Sequence, residues 1–289
     1  LQMTGGALNL EGGILSVSEP SQVDSLRIAT GTAGRGVFLG SGSLTIASSL
    51  VLDGGVLAGT GDTLIAAGAA GDLHAGVLDS RPITVAGLLK GTGKVDYFRA
   101  PVLTIQPSGR FEAKNGFKLT GQDGETGRLD LFGTFTTDAG ASVVFGPEFV
   151  VLPGGAFESQ PGRLEFQGGG SFGGSLVMDP DATFVLRGPP GLIGIAAAPP
   201  PLYVLPVGST VRLDGSVLVG GARVIVSGDT HVHAIDFTID NIVSGPGTST
   251  TRRLPVRAAT GSRAVTTSRT MARTSTAPSS SVTLPASIF

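Results

Sequence analysis

Gly127-Arg-Leu-Asp-Leu-Phe-Gly-Thr-Phe135 decides how this chain is read. Leu129 and Leu131 alternate with Arg128 and Asp130, the period of two that gives a strand one apolar face. Gly133 interrupts, and Thr134-Phe135 opens a second alternating run. The unit recurs. Gly162-Arg-Leu-Glu-Phe166 and Gly215-Ser-Val-Leu-Val219 repeat Gly-x-apolar-x-apolar, and Gly109-Arg-Phe111 and Gly155-Ala-Phe157 repeat Gly133-Thr-Phe135. The three Gly-x-Phe anchors lie 24 and 22 residues apart, about one coil of a strand-based repeat protein. A second pair, Gly55-Val-Leu-Ala-Gly-Thr-Gly61 and Gly87-Leu-Leu-Lys-Gly-Thr-Gly93, matches more closely still.

Outward from this stretch the pattern holds. Ser43-Leu-Thr-Ile46, Val102-Leu-Thr-Ile105, Phe117-Lys-Leu119, Val143-Val-Phe145, Thr183-Phe-Val-Leu186 and Arg223-Val-Ile-Val226 are short, alternating and bounded by turn residues. No stretch of a dozen residues keeps a helical period free of Gly or Pro. A sandwich or barrel and a solenoid both accommodate many short strands, but only the solenoid requires self-similarity. The sequence therefore predicts an all-β, right-handed parallel β-helix (β-solenoid) with degenerate repeats of about 20–24 residues. Its inward Leu, Val, Ile and Phe stack from coil to coil, and Gly supplies φ > 0 at the corners.

Composition agrees and excludes much else. Gly is 46 of 289 residues, against a helical protein, in which each interior Gly costs about 1 kcal/mol relative to Ala. Collagen's three-residue period is absent. With Cys 0 there is no disulfide framework, thiolate metal site or cysteine nucleophile. Hydrophobic residues at 40% and a net charge of −2 argue against a wholly disordered chain and give no case for a nucleic-acid partner. No leader-like segment opens the chain, which reads as a fragment or a processed piece. The longest uncharged run, 188–211, carries six prolines and cannot form a continuous membrane helix, so no transmembrane segment is expected.

Two segments depart from the pattern. Residues 188–207, Pro- and Ala-rich, read as an irregular insertion in a solenoid domain spanning 1–248. Residues 249–289 form a low-complexity Arg/Ser/Thr tail, expected to be disordered. The body, 1–250, has net charge −8, while the tail adds +6. Two readings of the tail stand: a frame error in the source sequence, or a basic segment that binds an acidic polymer or surface.

Candidate chemistry is sparse. Asp229, His231 and His233, with Asp236 nearby, form the one cluster of titratable residues, and two imidazoles two apart on a strand share a face and can meet a metal. The competing reading is a solvated strand edge. Gly169-Gly-Ser171-Phe-Gly173 matches a nucleophile elbow, and Gly168, Gly170 and Gly173 match a dinucleotide fingerprint, yet neither has the following helix that its chemistry requires. Gly59-Thr-Gly61-Asp62 matches part of a calcium-binding β-helix repeat that works only in tandem. Asp130, Asp138, Glu148, Glu158 and Glu165 fall in consecutive coils. Coils stacked at ~4.8 Å can bring carboxylates to the ~5–10 Å separation that glycoside hydrolysis uses. The same residues alternate with core positions, as any outward residue does. No motif calls for a cofactor.

Gly54-Gly-Val-Leu-Ala-Gly-Thr-Gly61, Gly87-Leu-Leu-Lys-Gly-Thr-Gly93, Gly133-Thr-Phe135 and Ile242-Val-Ser-Gly-Pro-Gly-Thr248 resemble the Gly-rich β-helical repeats of large bacterial surface and secreted proteins. They are similar to filamentous-haemagglutinin-like adhesins and autotransporter passenger stalks, over roughly 5–248. The resemblance implies an exported, non-enzymatic stalk or adhesive segment at the cell surface, with host or surface glycans or other polymers as partners. It carries no catalytic residue. The alternative is a carbohydrate-active β-helix, a lyase, hydrolase or tailspike type, working through the surface carboxylates. An all-β binding sandwich is a third reading.

Overall fold

The computed structural model describes residues 2–121, 127–178 and 182–186, and beyond them the backbone of strands at 202–205, 210–212, 217–219, 223–226, 231–234, 238–239, 242–244 and 249–251. All regular structure among these residues is β-strand. The strands stack in parallel as a β-solenoid, as the alternation and recurrence require. The one antiparallel pairing among them is a small hairpin, Thr30 with Arg35 and Gly31 with Gly34.

Each turn has three faces. Face I stacks 21–23, 44–46, 63–65, 83–85, 102–105, 128–131, 148–151 and 170–172. Face II stacks 25–28, 49–52, 70–73, 88–91, 110–113, 134–137, 156–159 and 175–178. Face III stacks 13–16, 36–39, 56–58, 77–79, 95–97, 118–121, 143–145, 162–166 and 182–186.

The Gly-x-Phe anchors fall in one register. Phe111 pairs Phe135, and Phe135 pairs Phe157, on face II. The closer sequence match does not: Leu57 lies on face III opposite Leu78, and Leu89 on face II opposite Phe111. Those two segments share corner chemistry, not a position in the repeat. One turn takes 17 to 26 residues, from Val232↔Ser249 to Ile105↔Leu131. One further step, read at Gly170↔Tyr203, Thr183↔Val217 and Ser175↔Thr210, takes 33 to 35. That step passes over the expected insertion at 188–207, of which Leu202–Leu205 is a strand and the rest lies outside the described residues. The ladder's last pairing, Val232–Ala234 with Ser249–Thr251, continues three residues past the expected boundary at 248. Residues 252–289 of the tail lie outside the described residues.

The core is one continuous column of inward side chains. In the earlier turns it is mainly aliphatic, with Phe38 and Tyr97 as its buried rings: Val23, Ile46, Ile65 and Val85 on face I, and Leu26, Leu50 and Leu73 on face II, are all buried. From residue 111 it becomes aromatic. Phe135 stacks parallel on Phe157 at 4.8 Å and meets Phe111, Phe145 and Phe149 edge-on at 5.3–5.6 Å. Phe145 stacks on Phe166 at 5.5 Å. Ring pairs in these geometries add about 0.5–1.5 kcal/mol each beyond the burial of their area.

Corner glycines serve two purposes, which corrects the expectation that all of them supply positive φ. Gly116, at φ 83, does so in open space. Gly133 does not: a Cβ there would sit 2.2 Å from the carbonyl oxygen of Gly109 in the preceding turn. Here Gly is required because two backbones approach closely, and the preceding residues of the same corner column, Gly109 and Gly87, meet the same obstacle.

Candidate functional site: the outer faces

The outward positions carry a motif built from the strand itself. Gly93-Lys-Val-Asp96, Gly109-Arg-Phe-Glu112, Gly127-Arg-Leu-Asp130 and Gly162-Arg-Leu-Glu165 share the form Gly, cation, apolar, anion. The apolar residue points inward and is buried in every case. Residues two apart on a strand share a face, so cation and anion lie side by side outside. The pairs are Lys94–Asp96 at 3.1 Å, Arg110–Glu112 at 3.1 Å, Arg128–Asp130 at 2.6 Å and Arg163–Glu165 at 3.0 Å. Hydrogen bonding to Asp130, helped by the charges of Asp130 and Glu148, raises the Arg128 guanidinium above its ordinary value. Lys114 is raised likewise by hydrogen bonds to Asp138 and Glu112. This alternation was open to sequence reading, because sign reverses at i and i+2 around a core residue, but a search for apolar periodicity passes over it.

The five carboxylates considered for polysaccharide chemistry do not gather in one groove. Asp130 and Glu148 lie on face I, Glu158 on face II and Glu165 on face III. Asp138 sits at the corner after face II, 2.9 Å from Lys114 Nζ. Asp130 and Glu148 are brought to neighbouring turns, with Arg128 between them, 3.9 Å from Glu148.

Of the metal candidates, Asp229 lies outside the described residues, as does Asp236. His231 and His233 are on the strand His231–Ala234 and pair with Thr210 and Arg212. Val232 between them continues the register of Val211 and of buried Leu176, so the histidines occupy the two flanking columns. Among the described residues no group of three or more His, Asp or Glu could hold a metal ion. Ser171 sits mid-strand on face I between buried Gly170 and Phe172, without the strand–turn–helix geometry of a nucleophile elbow. Gly168 and Gly173 flank the same strand.

The Gly-Thr-Gly-Asp turn does bind a cation, but one the chain supplies itself. Arg81, fully buried, donates from Nη2 to the carbonyls of Gly42 and Asp62, each at 2.8 Å, and from Nη1 to Gly40 O at 3.1 Å. Its Nε donates to Thr63 Oγ1 at 2.7 Å, and the guanidinium lies 5.3 Å from the Phe38 ring centre. Burial pushes Arg81 below its ordinary value, and Asp62 opposes that shift. No sequence signal marks it, since its ligands are backbone carbonyls from two earlier turns.

Comparison of the chain with models of known protein families, with curated proteins and with solved structures gave no match. No helix among the described residues is long and apolar enough to cross a membrane.

Proposed function

We propose that this chain is a non-enzymatic structural segment of an exported bacterial surface protein, a stiff stalk whose outer faces make adhesive contacts with surface polymers. The observation that carries this reading is the distribution of charge. The strand dyads pair cations and anions locally on all three faces, and the carboxylates are spread around the solenoid rather than opposed across a cleft. Such a surface is solvated and uniform, and the continuous hydrogen-bonded ladder beneath it resists bending. The adhesin and autotransporter resemblance supports export. The carbohydrate-active alternative has one observation in its favour, the placing of Asp130 and Glu148 on adjacent turns.

The test is to incubate the purified chain with xylan, glucomannan, hydroxyethylcellulose and polygalacturonate and to assay new reducing ends and unsaturated products. None is expected. Product that disappears in Asp130→Asn or Glu148→Gln overturns the stalk reading in favour of the enzyme. Export is checked by surface proteolysis of intact source cells, where the chain should be cleaved without lysis.

A further inference from the structure

The corner between faces III and I encloses a cage of oxygens. Residues 40–43, 59–62 and 80–82 form this corner in three successive turns. Gly61 N–H donates to Gly40 O at 3.1 Å and Leu44 N–H to Asp62 O at 2.9 Å, which ties the first two corners together. They approach closely: a Cβ on Gly61 would sit 2.1 Å from Gly42 O. The carbonyls of Gly40, Gly42 and Asp62, with Thr63 Oγ1, all accept from Arg81 in the third corner.

The cage matches a guanidinium in number and in shape. Four of its five N–H donors are engaged: Nε on Thr63, Nη1 on Gly40, and both hydrogens of Nη2 on carbonyls of different turns, Gly42 and Asp62. The Phe38 ring lies beside the planar cation. An ammonium has three donors about one point and cannot span acceptors spread over four residues. The bonds also depend on register. A slip of two residues between turns preserves the in-or-out alternation of every strand, so alternation alone does not exclude it. Such a slip carries the carbonyls away from Arg81 and leaves a buried charge unpaired, which is strongly destabilising.

We infer that this corner is a guanidinium-specific site whose resident ligand, the Arg81 side chain, pins the register of three successive turns. The pin acts on the folding of the column and owes nothing to the stalk reading.

The test is chemical rescue in the full chain. Arg81→Ala empties the cage, and hydrogen exchange at 40–63 quickens. Methylguanidinium at ten times its Kd slows that exchange about elevenfold, as binding to the closed form alone requires, and methylammonium at the same concentration does not. Arg81→Lys keeps the charge yet still exchanges faster than wild type at 40–63, and it carries the test if Arg81→Ala does not fold. Register is read by disulfide trapping, which the absence of cysteine in the chain allows. With Arg81 present, Thr45→Cys joins Leu64→Cys, its partner in the ladder, and not Ala66→Cys. In Arg81→Ala the slipped pair with Ala66→Cys also forms, and methylguanidinium suppresses it. Equal rescue by methylammonium, no rescue by methylguanidinium, wild-type exchange in Arg81→Lys, or no slipped pair in Arg81→Ala overturns the assignment.

Discussion

Turns 21–98 and turns 102–178 close the same three-faced cross-section in different ways. In the first region long strands run through corners: Ser21–Gly31 through the corner between faces I and II, Leu44–Ala58 through that corner and the next, and Ala70–Asp79 and Leu88–Phe98 through the corner between faces II and III. Register shifts at Ile28/Ala29, Leu52/Asp53 and Leu73/Ala75 absorb the bend. In the second region strands of three to five residues stop at each corner, as Arg110–Ala113 and Lys118–Gly121 do. The interior changes with the backbone. The aliphatic region fills one corner with a guanidinium bonded to main-chain carbonyls, while the later region is filled by contacting rings. The period of the repeat thus constrains neither corner type nor filling, provided the inward volume is occupied.

Removing core volume tests the contrast most severely. Phe135→Ala should cost about 3–5 kcal/mol and Leu50→Ala about 2–5, with the phenylalanine variant the worse because it also loses four ring contacts. Urea denaturation of both variants measures the difference. Equal losses would mean that the ring network adds nothing beyond its volume.

Arg81→Met should cost about 3 kcal/mol, since it strips donors from three carbonyls and a hydroxyl that stay largely buried. In a solenoid the damage stays local. Hydrogen exchange should quicken at 40–63 and stay unchanged at 128–172. Uniform quickening would show that the two regions unfold as one unit.

The two kinds of corner glycine separate next. Gly133→Ala should cost about 1–3 kcal/mol, because a backbone carbonyl cannot move aside. Gly116→Ala meets open space and should cost about 1 kcal/mol for its left-handed φ alone. The reverse order of thermal midpoints would falsify the close-approach argument.

The smallest effect concerns the surface. Lys114→Met removes pairs to Glu112 and Asp138 and should cost under about 1 kcal/mol, less in high salt. Because the folded state holds Lys114 above its ordinary value, its contribution is complete below the unfolded value of about 10.4 and fades as pH climbs through the higher folded one. Wild type and variant should therefore converge in stability in strong alkali.

The solenoid and the alternating inward residues of its strands could be read from the chain because alternation and glycine punctuation are local, whereas its turns spread wider, 17 to 26 residues, than the expected 20–24. Leu129 and Leu131 must share a side whatever else happens. What the sequence by itself determined is therefore the strand pattern, the in-or-out sense of the alternating strand residues and the stacking of the Gly-x-Phe units. The tertiary structure alone decided which face each unit occupies. Two near-identical Gly-x-x-x-Gly-Thr-Gly segments ended on different faces, since turns of unequal length are closed by inter-turn hydrogen bonds rather than by local pattern. It also decided why Gly133 is glycine, where Arg81 finds its carbonyls, and that Phe132 stands outside while Phe135 lies within. Each depends on a neighbouring turn about twenty residues away, whose approach no local spacing encodes.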